Sequence, residues 1–300
     1  MKKLILIDGN AIFHRAYHSL PPFKTSKGET TNAIYGFVRM LIEVYMNEQP
    51  DYLGIAWDRK APTFRKKMFE DYKATRSAPP EDLYPQLPRL KEIVTAFRIP
   101  QLEKDGFEAD DLLGTAARKA EQEEGVDITI LTGDQDAFQL VSPKTTVMTP
   151  IKGVTQVKRY KAAEVEEKFG VRPDQIIDYK AISGDSSDNI PGVPGIGPKG
   201  ASVLLQQYGD LDNIYDHLNE LKPGHKTKLE DNRESAYMSQ KLATIDCDAP
   251  LDFNLEDFSV HDIDYPAVEK LFDELEFNSL TRRLDQLKDT IRPEAQQALF

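Results

Sequence analysis

"GFEADDLLGTAARKAEQEEGVDITILTGDQD", residues 106–136, is an acid-headed helix followed by an acid-tipped strand. Glu108, Asp110 and Asp111 fall within four positions, directly ahead of an apolar stripe. Leu112, Leu113, Ala116, Ala117 and Ala120 recur at helical spacing, which predicts a buried helix from about Ala109 to Gly125. Acids in a first turn suit the positive end of the helix dipole and accept its orphan N–H groups. One capping acid is enough for that task, so three leave a binding role as open as a capping one. The run that follows, 127–136, reads as a strand ending on Asp134 and Asp136.

Working outward, the same ending recurs. "KLILIDG" (3–9) closes on Asp8 and "YLGIAWD" (52–58) on Asp58, and both are short apolar runs of the buried-strand type. Helical patterns at 32–49 and 89–98 separate them, and strands alternating with helices predict a parallel sheet with right-handed crossovers. Ligands of such sheets bind outside the carboxyl ends of the strands. Any one of these acids is accounted for as a turn or a cap, but a shared ending for every core strand is not.

Past residue 150, "PIKGVTQVKRY" reads as an excursion or hairpin and "AAEVEEKFG" as a short helix. A helix then ends at Gly184, with Asp185 and Asp188 beside its end, and amphipathic helices continue to about 284. The expected organisation is an α/β domain over 1–180, a helical domain over 181–290, and a tail or linker over 285–300.

Composition narrows the classes. The 300 residues are 40% hydrophobic and 29% charged, without an apolar run of membrane-spanning length or a signal peptide. A single cysteine, Cys247, excludes an internal disulfide and a multi-cysteine metal site, which fits a reducing cytoplasm. The five histidines lack zinc-ligand spacing, which disfavours a zinc hydrolase. Net charge is −12, yet residues 59–76, "RKAPTFRKKMFEDYKATR", hold seven Lys or Arg against two acids. An acidic chain with a basic stripe has a patterned surface, so both charge groups require an account.

Gly195-Ile-Gly197-Pro-Lys-Gly200 matches a dinucleotide-type glycine pattern, but it follows a helix and a proline-rich turn rather than a strand. A helix–hairpin–helix turn fits better: glycines admit a phosphate closely, and the next helix offers its N–H groups. Such a turn holds a nucleic-acid backbone without reading its sequence.

With Asp185 and Asp188 the acids number nine: Asp8, Asp58, Glu108, Asp110, Asp111, Asp134, Asp136, Asp185 and Asp188. Two unit charges about 4 Å apart repel by about 4 kcal/mol at an effective dielectric near 20, so a cluster must protonate or bind cations. An all-oxygen ligand set selects Mg²⁺ or Mn²⁺. Two such ions support in-line phosphodiester hydrolysis.

"LILIDGN", "AWDRKAPTFR", "YKATR", "GFEADDLLG", "LTGDQDAFQLV", "GDSSDNIPGVPGIGPKGA" and "LEFNSLTRRL" together resemble the 5′ nuclease (5′-3′ exonuclease) domain found at the N-terminus of bacterial DNA polymerase I, within the flap endonuclease family. The resemblance runs in order from residue 3 to about 284. It implies a PIN-like α/β fold, with a parallel or mixed sheet and flanking helices, followed by a helical domain with the helix–hairpin–helix motif. It further implies removal of 5′ flaps and primer RNA with two or more divalent ions, and leaves room for K⁺ at the hairpin turn. All nine acids fall on the family's acidic positions. Asp110, Asp134 and Asp136 with Glu108 would hold the tighter metal region, Asp185 and Asp188 the second, with Asp8 and Asp58 beneath both.

Lys73 and Arg76 match the cations of the family's helical arch, expected here over about 59–88, with Arg65 as a companion at the scissile phosphate. Tyr72 is expected either to stack on a base or to pack in the arch. Gly192, Gly195, Gly197, Lys199 and Gly200 would contact the DNA backbone. The expected partners are branched or nicked duplex DNA with a 5′ flap, RNA primer on DNA, and a polymerase domain C-terminal to this region, with no membrane and the chain a monomer. A PIN-type single-strand ribonuclease and a non-catalytic nucleic-acid-binding module are the alternatives. The hairpin and basic stripe weigh against the first, and nine clustered acids facing phosphate weigh against the second.

Overall fold

The computed structural model describes residues 1–153, 156–260 and 263–291. Six strands make one sheet: β1 (Lys2–Asp8), β2 (Tyr52–Ala56), β3 (Gln101–Leu102), β4 (Val126–Leu131), β5 (Thr145–Lys152) and β6 (Gln156–Tyr160). Their spatial order is β3-β2-β1-β4-β5-β6. All neighbours are parallel except β5 and β6, which form the expected hairpin. The chain leaves β1 toward β2 on one side and returns to β4 on the other. The topological switch therefore lies at the carboxyl end of β1, where crevices open in such sheets.

The first helices are α1 (Gly9–Ser19), α2 (Asn32–Glu48), α3 (Phe64–Met68), α4 (Leu87–Ala96), α5 (Ala109–Ala120) and α6 (Ala162–Phe169). They are followed by α7 (Ile176–Ser183), α8 (Pro198–Tyr208), α9 (Leu211–Asp216), α10 (Pro223–Asp231), α11 (Arg233–Ala243), α12 (Tyr265–Glu274) and α13 (Asn278–Ile291). Because side chains alternate across a strand, Leu4 and Leu6 of β1 enter the core shared with α5 and the α7–α11 helices, while Ile5 and Ile7 enter the core under α1, α2 and α4. A strand buried on both faces must read as a continuous apolar run, and 4–7 does. Gly9 gives the turn out of β1 its closeness, since a Cβ there would lie 2.4 Å from the Trp57 ring.

Four expectations about organisation change. The boundary at 180–181 falls inside α7, which packs on α11 and α8 and so belongs to the helical half. The last part of the expected helical domain turns back: α12 packs on α4 and α13 on α2 of the α/β half. Residues 285–291, expected as tail, continue α13 and bury Leu287, in register with Leu280 and Leu284. The i, i+4, i+7 spacing of those leucines is a core stripe; residues 292–300 lie outside the described part. In place of a helical arch, 59–88 has one five-residue helix, α3, turns through Arg76, a single 3-10 turn at Tyr84–Gln86 and the first two residues of α4. Short helices gain few internal hydrogen bonds for the residues they order, and this basic segment is held by tertiary ion pairs instead. Among the described residues no helix is long and apolar enough to cross a membrane.

Candidate active site

The end of β1 organises the acids. Asp8 caps α1 by accepting the Ala11 N–H (2.9 Å) and takes the Thr132 hydroxyl (2.8 Å) from the end of β4. Thr132 in turn accepts the Asp134 N–H (3.0 Å), and Asp134 accepts the Asp136 N–H (2.9 Å). Asp58 accepts the Ala109 N–H (2.8 Å) at the start of α5, while Asn10 accepts the Asp58 N–H (2.9 Å). The Thr132–Asp8, Asn10–Asp58 and Ala109–Asp58 bonds tie neighbouring strand ends together, and the others fix each acid within its own loop or helix start.

Burial then perturbs them. Asp8 is pushed up to about 7, by desolvation against the Ala11 and Thr132 hydrogen bonds. Asp58, Asp110 and Asp134 are raised for the same first reason, Asp110 well above the usual carboxylate range. Asp110 Oδ1 is buried without a hydrogen-bond partner. A buried unsatisfied carboxylate oxygen costs several kcal/mol by order of magnitude, so it calls for a proton or a cation.

The protein's own cations occupy the other side. Lys73 Nζ lies 2.8 Å from Glu108 Oε2 and 3.7 Å from Asp188 Oδ2, and Arg76 donates to Asp188 Oδ1 (2.6 Å). The Lys73 N–H donates to the Asp188 carbonyl (2.9 Å), with Lys73 in the left-handed region at φ 58°. Lys180, on the last turn of α7, donates to Asp185 Oδ2 (2.6 Å) and is ion-paired with Asp136. It bridges the acid loop after β4 to the acid loop after α7. Burial pushes Asp185 up, but Lys180 and the Ser187 hydroxyl and N–H outweigh it and hold the carboxyl down at about 2.

Two adjoining clefts share Ala11, His14 and Asp134. The smaller, about 340 Å³, contains Asp8, Asp58, Glu108, Asp110, Lys73 and Arg76. The larger, about 660 Å³, contains Lys180, Asp185, Arg15, His18 and, at its rim, Pro198. The start of α8 therefore borders the same opening as the acids.

Four expected site residues have other tasks. Asp111 is fully buried, accepting the Glu108 and Asp246 N–H groups and both arms of Arg65. Arg65 is 1% exposed and also donates to the Leu242 and Thr244 carbonyls, joining α3, α5 and the end of α11. A bidentate guanidinium with no free face is a structural link, so neither residue is carried forward as ligand or phosphate contact. Tyr72 is 4% exposed, its hydroxyl 3.2 Å from both Glu108 and Asp188, so it packs rather than stacks on a base. Gly192 is buried against Gly184, where a Cβ would meet the Gly184 nitrogen at 2.3 Å, so it shapes the hairpin from within. Gly195, Gly197 and Lys199 are exposed at its tip, and Gly197 caps α8, with half-buried Gly200 in the first turn.

Sequence reasoning missed Lys180, Thr132, Asn10 and the pair His14–Tyr84, whose Nε2 and hydroxyl lie 3.2 Å apart at the cleft wall. Lys180 left a trace, the lone cation of the buried helix "IIDYKAIS". The spacing of His14 suits no zinc site; its ring stands edge-on to Tyr84 and meets that residue's hydroxyl. Among the described residues no three His, Cys, Asp or Glu side chains form a ready-made ligand cage. The all-oxygen donors and the unpartnered Asp110 oxygen do fit a hard divalent ion that keeps part of its water shell.

Two family models cover the chain: the N-terminal resolvase-like domain of 5′-3′ exonuclease over residues 3–170, and its C-terminal SAM fold over 171–266. DNA polymerase I of Bacillus caldotenax is 43% identical over 286 residues, 95% of this chain and 32% of the relative. DNA polymerase I of Bacillus subtilis is 40% identical over 299 residues, 99% of this chain and 34% of the relative. The chain thus spans about a third of the length of these curated relatives. Among solved structures, the 5′-exonuclease of phage T5 with bound zinc ions is similar at TM-score 0.66 and 20% identity, covering 91% of this chain and 98% of that one. The catalytic core of Rad2 in complex with a DNA substrate is similar at TM-score 0.63 and 14% identity, covering 97% and 92%. At those identities the structural likeness speaks to the fold.

Proposed function

The chain belongs to the 5′-3′ exonuclease family, and from that premise we propose that it hydrolyses phosphodiester bonds at 5′ ends and 5′ flaps of branched or nicked DNA, and of RNA primers on DNA, using Mg²⁺ or Mn²⁺. The observation that carries the metal reading is the buried Asp110 oxygen without a partner, set among acids whose carboxyls burial has raised. Asp110 and Asp134 with Glu108 and Asp136 would hold one ion, and Asp185 and Asp188 a second. Asp8 and Asp58 support both from beneath. When bound, such ions lower the pKa of water and neutralise the leaving oxygen of an in-line displacement.

The remaining work falls to side chains. Lys73 and Arg76, which in this state neutralise Glu108 and Asp188, are the cations within reach of a phosphate entering the smaller cleft. Their transfer from carboxylate to phosphate matches charge for charge. His14 and Tyr84 wall the smaller cleft, and the exposed hairpin tip, whose Pro198 borders the larger cleft, takes the duplex backbone without sequence preference. The zinc named with the phage T5 structure and the DNA named with Rad2 favour the same assignment. The longer relatives are DNA polymerases, so the reading includes a polymerase acting on the same DNA.

Cleavage of 5′-labelled flap, nicked and single-stranded substrates, with Mg²⁺ and with EDTA, tests it. Flap and nicked DNA are expected to be cut with Mg²⁺ alone. Cleavage that persists in EDTA removes the metal reading. Single-stranded RNA cut as fast as a flap supports the ribonuclease alternative, and tight binding without cleavage supports the binding module.

A further inference from the structure

The Tyr72 ring is enclosed, but a second tyrosine on the same stretch of chain is not. Tyr84 is 41% exposed, the one aromatic residue among the exposed large hydrophobic side chains of the described residues. It lines the smaller cleft with Asp8, Asp58, Lys73 and Arg76, and its phenol lies close enough to Asp58 and Arg76 for both charges to act on it. A ring left this open contributes little to the core, because hydrophobic stabilisation scales with the area removed from water. The turn that carries it is nevertheless firmly held. Leu83 is fully buried. Buried Gln86 accepts the Ala33 N–H (2.9 Å) at the start of α2 and donates to Asn32 Oδ1 (3.2 Å). Tyr17 donates to Asp82 Oδ1 (2.6 Å). The Tyr84 ring itself meets His14 at a centroid distance of 5.7 Å with the planes at 76°, and its hydroxyl lies 3.2 Å from His14 Nε2. A side chain fixed in advance loses little freedom when a partner lies against it.

We propose that Tyr84 is a base platform, stacking on an unpaired nucleobase of the cut strand that flanks the phosphate held by Lys73 and Arg76. This rests on the reading of the smaller cleft as the place where a phosphodiester is cut. A phosphate seated at those cations carries a base within one nucleotide on either side, and Tyr84 is the exposed ring on the wall of the same cleft. Every base has a π-face, so the contact carries no sequence preference. It does favour a base that has left its stack, since the faces of a paired base are covered by its neighbours in the duplex.

The test uses the full chain, Tyr84→Leu and Tyr84→Phe on a 5′-flap substrate, intact or with one abasic site on either side of the cut phosphate. For the unmodified chain, one of the two abasic sites is expected to slow single-turnover cleavage with Mg²⁺ about tenfold, the size of one base–aromatic stack. Tyr84→Leu is expected to lose about tenfold on the intact flap and nothing more at that abasic site, because ring and base are two halves of one contact. Tyr84→Phe keeps the ring and is expected to restore most of the rate, which a role for the hydroxyl alone would not predict. A 2-aminopurine at the same position reports the stack without cleavage. In Ca²⁺, the unmodified chain and Tyr84→Phe are expected to quench its fluorescence more than Tyr84→Leu does. Indifference to both abasic sites, losses that multiply between Tyr84→Leu and the abasic site, or equal quenching by all three proteins overturns the proposal. If the unmodified chain cuts no flap, the nuclease reading fails, and the quenching in Ca²⁺ still decides the stack.

Discussion

Replacing Lys180 by methionine removes the ammonium that stands between Asp136 and Asp185, while keeping most of the aliphatic stem. All three side chains are nearly enclosed. Removing one partner of a buried ion pair costs about 3–5 kcal/mol, because the remaining charge is left uncompensated. Asp185 keeps its bonds from the Ser187 hydroxyl and N–H, so the lower end, about 3 kcal/mol, is expected in EDTA. With an unfolding entropy of about 2.1 cal/mol/K per residue, the 300 residues correspond to about 0.6 kcal/mol/K, and the midpoint falls by about 5 °C. The sign with pH follows from Asp185, whose carboxyl is held down at about 2. The Lys180 contribution is fully present above about pH 4, the ordinary carboxylate value, and is lost as pH falls through 2. Divalent ions reverse the deficit. An ion at a hundred times its Kd stabilises by about 2.7 kcal/mol, and in the variant it meets two acids with no resident competitor. Thermal unfolding by circular dichroism, in EDTA and over a Mn²⁺ series, is expected to show a gap that closes as Mn²⁺ rises. A metal-free midpoint equal to that of the unmodified chain, or a gap indifferent to Mn²⁺, refutes the reasoning.

The other expectations concern the same cluster. Lys73→Ala should slow flap cleavage by two orders of magnitude or more while weakening duplex binding only a few-fold; equal losses would make Lys73 an ordinary phosphate contact. In EDTA, the Asp8 carboxyl, raised to about 7, contributes stability that is fully present below about pH 4 and lost as pH rises through 7. The advantage of Asp8→Asn over the parent should then grow by about 2.5 kcal/mol between pH 5 and 7.5 in urea unfolding, and parallel pH profiles would count against the buried-acid account. Arg65→Lys should cost about 2–4 kcal/mol, since a point charge cannot reproduce the bidentate pair with Asp111, yet leave the salt dependence of duplex binding unchanged. A reduced salt slope would return Arg65 to the phosphate contacts.

Local patterns made much of this protein legible before any tertiary contact was known. Period-two and continuous apolar runs at 3–7 and 52–56 identify strands buried on both faces, and their acid endings mark the open edge of the sheet. The turn at Gly184 and the start of α8 near Lys199 are readable because a glycine in the left-handed region and a proline at a first helical position are local devices. The tail was misread because "DQLKDTI" is polar on average, and only the α2 surface makes its leucine stripe a buried one. The arch, expected from the resemblance, differs for the converse reason: Arg65, Lys73 and Arg76 of the basic run are drawn onto acids 35 to 115 positions away.

What the sequence determined alone was the inventory: which acids end which strands, where the glycines bend the chain, and that oxygen ligands and basic side chains must meet. Tertiary structure decided the division of labour within it. Glu108, Asp110 and Asp111 fall within four consecutive positions, yet Glu108 meets Lys73, one Asp110 oxygen is left without a hydrogen bond, and Asp111 takes both arms of Arg65. Successive helical residues point about 100° apart, so neighbours in sequence face different surroundings. Whether a carboxylate becomes a strut or a candidate ligand depends on which distant cation, if any, the packing of α3, α7 and α11 brings to it.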